Sequence, residues 1–345
     1  GRKPRMAEYF FDLGQRDRRE AVEYVRAESG RPAHLLEKDI WVVWALRALF
    51  DTPVANHLTF KGGTSLSKVY KVINRFSEDI DLTYDIRKLI PNLTGDYGEW
   101  PTSRSQASKW TKAVRHRLPD WIKENIQPAI EAALAKEQLD ARVELGGKEN
   151  DKLLLHYPAL AQGTGYVAPV VTLEFGARAT GEPHKIHTVT CDIARHLPEV
   201  SFPTASPQVM SLSRTFWEKT TAAHVFCAQG RIRGERYARH WHDLVAISRS
   251  QYFAAAIADH TVAAAVARHK SWFFIEKDRN GQTIDYADAT EGHLKIVPEA
   301  DAKAALAQDY AAMVADEVTV GNALSFDALL DECADLEAKI NSGHI

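Results

Sequence analysis

Cysteine is scarce in this chain and widely scattered. The 345 residues hold three, Cys191, Cys227 and Cys333, none in a Cys-x-x-Cys pair. That argues against a disulfide framework or a zinc knuckle and leads us to expect a reducing compartment, the cytoplasm. No stretch approaches the roughly 18 apolar residues of a membrane span, so none is expected. Gly1-Arg2-Lys3-Pro4 is basic, but no apolar stretch follows it, and no signal peptide is read there. Neither charge sign dominates: 43 Lys and Arg against 46 Asp and Glu give −3, so net charge does not announce a nucleic-acid binder. Also missing are the Gly-x-Gly-x-x-Gly spacing of a dinucleotide site and the Gly-Lys-Ser/Thr ending of a P-loop.

The length is enough for two domains, and a 45% apolar content is enough to give each a core. Residues 17–30 read as a charged helix ending at Gly30. A second helix, 34–50, carries Ile40, Val43, Trp44, Leu46 and Leu49 at helical spacing, which predicts one broad buried face. Residues 57–60 form a short strand before Lys61-Gly62-Gly63-Thr64-Ser65. Leu66, Val69, Tyr70 and Ile73 then predict a helix beginning after the glycines, and 79–84 alternates as a half-buried strand does. The polar stretch 86–106 reads as an irregular loop, and 107–138 as helix with breaks at Pro119 and Pro128. Strands are expected at 141–145, 153–156, 170–175 and 187–192, separated by Gly and Pro clusters such as Gly163-Thr164-Gly165. From Ser213 onward the chain is helical: 214–228, 237–247, 252–269, 302–316 and 326–340. The expected boundary lies at 210/211, between a mixed α/β domain (1–210) and a mostly helical one (211–345).

Two features carry chemistry. Small residues at Gly62, Gly63, Thr64 and Ser65 let backbone approach a ligand closely, and a following helix would offer N–H groups to a phosphate. On the next strand, Asp79 and Asp81 lie two residues apart and project from one face. Carboxylates so close repel unless a cation joins them, and Mg²⁺, as one ion or two, prefers such oxygens and bridges to phosphates. Each feature alone has a plain structural reading, a tight strand-to-helix turn and a solvated strand face.

Together they resemble the polymerase-β-like nucleotidyltransferase superfamily, in which Gly-Gly or Gly-Ser, a helix and Asp-x-Asp follow one another. That superfamily usually adds a third carboxylate from a neighbouring strand, and Glu174 in Val170-Val171-Thr172-Leu173-Glu174-Phe175 is the candidate. A lone acid in an apolar run needs a partner, a metal or else Arg178.

A wider resemblance rests on Glu37-Lys38-Asp39-Ile40-Trp41, Lys61 to Leu66, Phe76 to Leu82, Leu173 to Arg178, Arg214-Thr215-Phe216-Trp217-Glu218-Lys219 and Tyr237 to Leu244. These segments, in this order, are similar to the AbiEii family, the nucleotidyltransferase toxins of type IV toxin–antitoxin and phage-defence systems, with which the MenT-like toxins belong. The resemblance implies an α+β fold: a polymerase-β-like domain with a mixed sheet, plus a C-terminal α-helical domain closing over the site. It implies that Asp79 and Asp81 hold the metal, with Glu174 as third ligand or base. Ser77, which at even strand spacing would share the face of the Asp pair, joins Lys219 and Asp243 in the active site, with Lys219 balancing triphosphate charge. Asp243 orients Lys219 or takes the acceptor proton. Plainer readings remain: a Lys219–Glu218 ion pair, an Arg239–Asp243 pair one helical turn apart, and Ser77 as a simple strand-start residue.

The expected reaction moves NMP from an NTP to the 3′ end of tRNA, stopping translation, with a cognate antitoxin opposing it. The alternatives are transfer to a small-molecule or protein hydroxyl, or a non-catalytic NTP-binding module. Basic stretches at 109–117 and 231–239 read either as solvated faces or as phosphate contacts. His240 and His242 diverge on a helix and cannot share a metal. His224 reads as packed or substrate-facing.

Overall fold

Buried and half-buried positions alternate along Asp79–Ile80–Asp81–Leu82, so this segment can only lie in a sheet that is covered on one side. The computed structural model describes residues 6–160, 168–232, 236–315 and 323–343. Gly163-Thr164-Gly165 and the centre of the basic stretch 231–239 lie outside them. A seven-stranded mixed sheet is built from β1 (Leu58–Lys61), β2 (Asp79–Tyr84), β3 (Arg142–Gly146), β4 (Lys152–His156), β5 (Val170–Gly176), β6 (His184–Ile186) and β7 (Gln208–Met210). Its order is β3-β4-β5-β2-β1-β7-β6. β2 runs antiparallel to β1 and parallel to β5, so the Asp pair occupies an interior strand with neighbours on both sides.

The chain divides into two units. The first comprises Gly1–Thr64, Glu78–Pro91 and Ala113–Val209. The second comprises Ser65–Ser77, Asn92–Lys112 and Met210–Ile345. In sequence terms, two early segments join the helical unit, where a single cut at 210/211 was expected.

In the first unit, α1 (Gln15–Ser29) ends at Gly30, whose φ of 71° closes the helix in the left-handed region. α2 (Ala33–Phe50) is buried nearly all round, not on one broad face, and that burial takes in Glu37, Lys38 and Asp39. Each of the three has a partner. The Glu37 carboxylate accepts the Leu160 N–H at 2.8 Å, and Asp39 Oδ2 accepts the Asp192 N–H at 2.7 Å. Lys38 Nζ donates to Glu78 Oε2 at 2.9 Å and to the Ala168 carbonyl at 3.2 Å. Residues 86–106 hold short helical turns, not a plain loop. The helix Arg104–Trp121 passes through Pro119 unbroken, and a π-helical turn, Ile122–Ile126, joins it to Gln127–Lys136 just before Pro128. The strand expected at 187–192 is replaced by β6, a two-residue strand Val189–Thr190 and a 3₁₀ turn at Asp192–His196.

α3 (Gly62–Lys68) begins at the glycines as expected but stops at Lys68, short of Ile73. The Val69 and Tyr70 N–H groups both donate to the Ser65 carbonyl, and Lys71 takes φ 55°, which reverses the chain. Leu66 and Ile73 still enter the helical unit's core, so the spacing reflected burial without continuous helix. That core surrounds Phe216, Trp217 and Phe226 of α4 (Leu212–Gln229) and Trp241 and Leu244 of α5 (Arg239–Ser248). The two indole N–H groups donate to the carbonyls of Ala256 and Ile296, at 2.9 and 2.7 Å. Among the described residues, no helix is long and apolar enough to cross a membrane.

Candidate active site

Strand pleat places Asp79 and Asp81 on one face of β2, both half-buried, with Ile80 between them in the core. The glycine turn lies against that face. A Cβ built on Gly62 would come within 2.2 Å of Asp81 Oδ2, and Gly62 has φ 78°, so only glycine fits there. The Thr64 hydroxyl donates to the Asp79 backbone carbonyl and ties the start of α3 to the start of β2. Thr64 and Ser65 are both buried. Ser77 precedes β2, which begins at Asp79, so the even-spacing argument for a shared strand face does not apply to it.

Register puts Lys61 opposite Asp81 on β1 and Glu174 beside Asp81 on β5. Glu174 has a chain partner, Lys152 of β4, whose Nζ donates to Glu174 Oε1 at 2.5 Å. Hydrogen bonding to Glu174 is the main reason the Lys152 ammonium is pushed up, with Asp79 adding to it. Glu174 is thus paired with Lys152 of a neighbouring strand, where Arg178 was the expected alternative. Among the described residues, no group of three His, Cys, Asp or Glu could hold a metal ion. Asp79, Asp81 and Glu174 form no such group among the described residues, and Glu174 is paired with Lys152. Two aligned carboxylates pressed against a side-chain-free turn still suit a hard divalent cation that takes its other oxygens from phosphate and water.

The helical unit contains a buried charge cluster of its own. Asp243 on α5 is fully buried and accepts from Arg75 twice, Nε to Oδ1 at 2.8 Å and Nη2 to Oδ2 at 2.7 Å. Lys219 Nζ on α4 lies 2.9 Å from Asp243 Oδ2, and His242 Nδ1 lies 3.0 Å from Oδ1. Burial would raise the Asp243 carboxyl, but Arg75, Lys219 and these hydrogen bonds outweigh it and hold it well below the usual carboxylate range. Such a group is a poor proton acceptor, so of its two expected roles Asp243 fits that of orienting Lys219. Burial pushes the Lys219 ammonium below its ordinary value, against the upward pull of Asp243. Neither plainer reading describes this geometry. Glu218 pairs with Arg214, at 3.3 Å, and exposed Arg239 is not among the Asp243 partners.

Among the described residues, His224 and His240 belong to no metal-holding group. His224 Nδ1 accepts the Lys295 N–H at 3.0 Å, which makes it a packed residue. His240 Nδ1 is buried without a hydrogen-bond partner among the described residues, and burial beside Lys219 and Arg239 keeps its imidazole neutral.

Sequence comparison decides what this geometry belongs to. The family described as nucleotidyl transferase AbiEii toxin, type IV TA system, matches residues 44–332. The chain belongs to the AbiEii family. It is therefore a nucleotidyltransferase toxin of a type IV toxin–antitoxin system, a family that uses an NTP and is opposed by an antitoxin. No curated protein matches it in sequence. Among solved structures it is similar to MenT4, a nucleotidyltransferase toxin of Mycobacterium tuberculosis. The identity is 15% and the TM-score 0.49, over 94% of this chain and 89% of that one.

Within this AbiEii chain, sequence reasoning had missed Arg75, Lys152 and Lys38 as partners of site residues. Lys38 had a usable signal, a charge next to the strongly apolar run Ile40–Leu46, which must be paired if buried. Arg75 and Lys152 had none, because their partners Asp243 and Glu174 are distant in sequence.

Proposed function

We propose that this AbiEii-family enzyme transfers a nucleoside monophosphate from an NTP to the 3′ end of tRNA, and that Asp79 and Asp81 carry the reaction. The supporting observation is that the two carboxylates share one face of β2 and abut Gly62. In the reaction, an acceptor hydroxyl oxygen bonds to the α-phosphorus as the bond to the β-phosphate oxygen breaks, and pyrophosphate leaves. Mg²⁺, as one ion or two, would be held by Asp79 and Asp81 and would supply charge neutralisation at the reacting phosphate. The Gly62-Gly63-Thr64-Ser65 turn takes the β- and γ-phosphates, its glycines letting backbone approach a ligand closely. Glu174 serves as third ligand or base only when Lys152 releases it.

The proposal extends to Ser77, Lys219 and Asp243 through family resemblance. Lys219 supplies a positive charge for the triphosphate, and Asp243 positions it. Lys219 lies 2.9 Å from the Asp243 carboxylate, which supports the positioning role. Purified protein, each α-labelled NTP in turn, Mg²⁺ and total tRNA form the test. Labelled RNA is expected from wild type and none from Asp79→Asn. Label on a small-molecule or protein acceptor in place of RNA would move the proposal to that acceptor.

A further inference from the structure

A cavity of about 550 Å³ lies within the helical unit, a size typical of small-ligand sites. Three tyrosines stand among its aliphatic walls. Tyr70 and Tyr252 meet edge to face with centroids 5.5 Å apart, and Tyr310 is buried in its floor. Two of these rings are fixed by their hydroxyls: Tyr70 donates to the Met210 carbonyl and Tyr310 to that of Leu324, each at 2.7 Å. Lys71 and Arg249, both exposed, add cationic groups, and His242 completes the lining used here. Lys71 stands at the left-handed turn that ends α3, where φ is 55°. Among the described residues no Asp or Glu lines the cavity; Glu332, the ion-pair partner of Arg249, lies outside the lining.

Aromatic rings held by their hydroxyls, exposed cations and a described lining without carboxylates select a ligand that is both aromatic and anionic. Purely apolar ligands gain nothing from the cations, and a cationic ligand finds no counter-charge. We propose that this cavity binds one unpaired nucleotide, its base against Tyr70 and Tyr252 and its phosphate at Lys71 and Arg249. The nucleotide comes either from the single-stranded 3′ end of an RNA acceptor, a source that rests on the proposed reaction, or from a free nucleotide. The site is joined to the charge cluster through His242, which lines the cavity and bonds Asp243, the residue that holds Lys219.

The test measures binding by the full chain without NTP or Mg²⁺, using a fluorescent RNA hairpin with an unpaired 3′ tail, the same hairpin blunt-ended, and AMP. Tyr252→Ala and Lys71→Ala are each expected to weaken binding about tenfold. Tyr252→Phe should retain it, and thermal melting should be unchanged in all three. Tail-dependent binding lost in the variants assigns the site to RNA ends. Equal affinity for both hairpins, with AMP binding lost in the variants, assigns it to free nucleotide. Wild-type affinity for tailed hairpin and AMP in both alanine variants overturns the proposal. Because binding is read apart from transfer, a wild-type protein that transfers no label would contradict the proposed reaction while leaving this site standing.

Discussion

Asp243 faces Arg75, Lys219 and His242 in a buried setting, so the cluster depends on a carboxylate that stays ionised. Asp243→Asn removes the counter-charge of two buried cations and is expected to cost about 3–5 kcal/mol of folding stability in urea unfolding at neutral pH. The sign of its acid dependence follows from the depressed native carboxyl. Its stabilisation is complete above the unfolded value of 3.8 and is lost as pH falls through the lower native value. Wild type should lose this contribution only below about pH 4, and Asp243→Asn should lack it. Lys219 titrates below its ordinary 10.5, so an alkaline fall in kcat/KM should begin before that pH. Lys219→Arg, whose guanidinium stays charged, should move the fall to higher pH if activity is retained. At Gly62, an alanine Cβ would collide with Asp81 and force a β-carbon into the left-handed region. Gly62→Ala should abolish measurable transfer, with far-ultraviolet circular dichroism unchanged.

Strand β2 owes its position to hydrogen bonding and register on both sides and to a tether at its N-terminal end, where buried Lys38 holds Glu78. Lys38→Met leaves Glu78 half-buried without that cation and should cost about 1–2 kcal/mol in urea unfolding. Lys38→Met with Glu78→Leu should recover most of the loss, as paired apolar replacement of an ion pair does. These elements differ in how far sequence discloses them. The Asp79–Tyr84 strand was readable because its alternation is local and strict, and Gly62 because only one residue type meets its two demands. The end of α3 was not readable. Leu66, Val69, Tyr70 and Ile73 fall at helical spacing, yet the turn at Lys71 brings Ile73 into the core by another route. Ser77 was placed on a strand that starts two residues later. Glu174 was visible as an acid needing a partner, but Lys152 emerges only once β4 pairs with β5.

For the whole molecule, the two carboxylates and the glycine turn belong to the folded state alone, so a ligand they hold must stabilise that state. MgNTP at a hundred times its dissociation constant should add about 2.7 kcal/mol to folding stability, read as a raised melting temperature. The double variant Asp79→Asn/Asp81→Asn should show no such rise. Family membership gives the reaction class, while the acceptor has to be found by experiment. The most direct measurement therefore follows α-labelled NTP into tRNA with Mg²⁺, comparing wild type with Asp79→Asn and Asp81→Asn. Our account predicts label at the RNA 3′ end from wild type and none from either variant. Undiminished labelling by both variants, or no labelling by wild type with any of the NTPs, would contradict it.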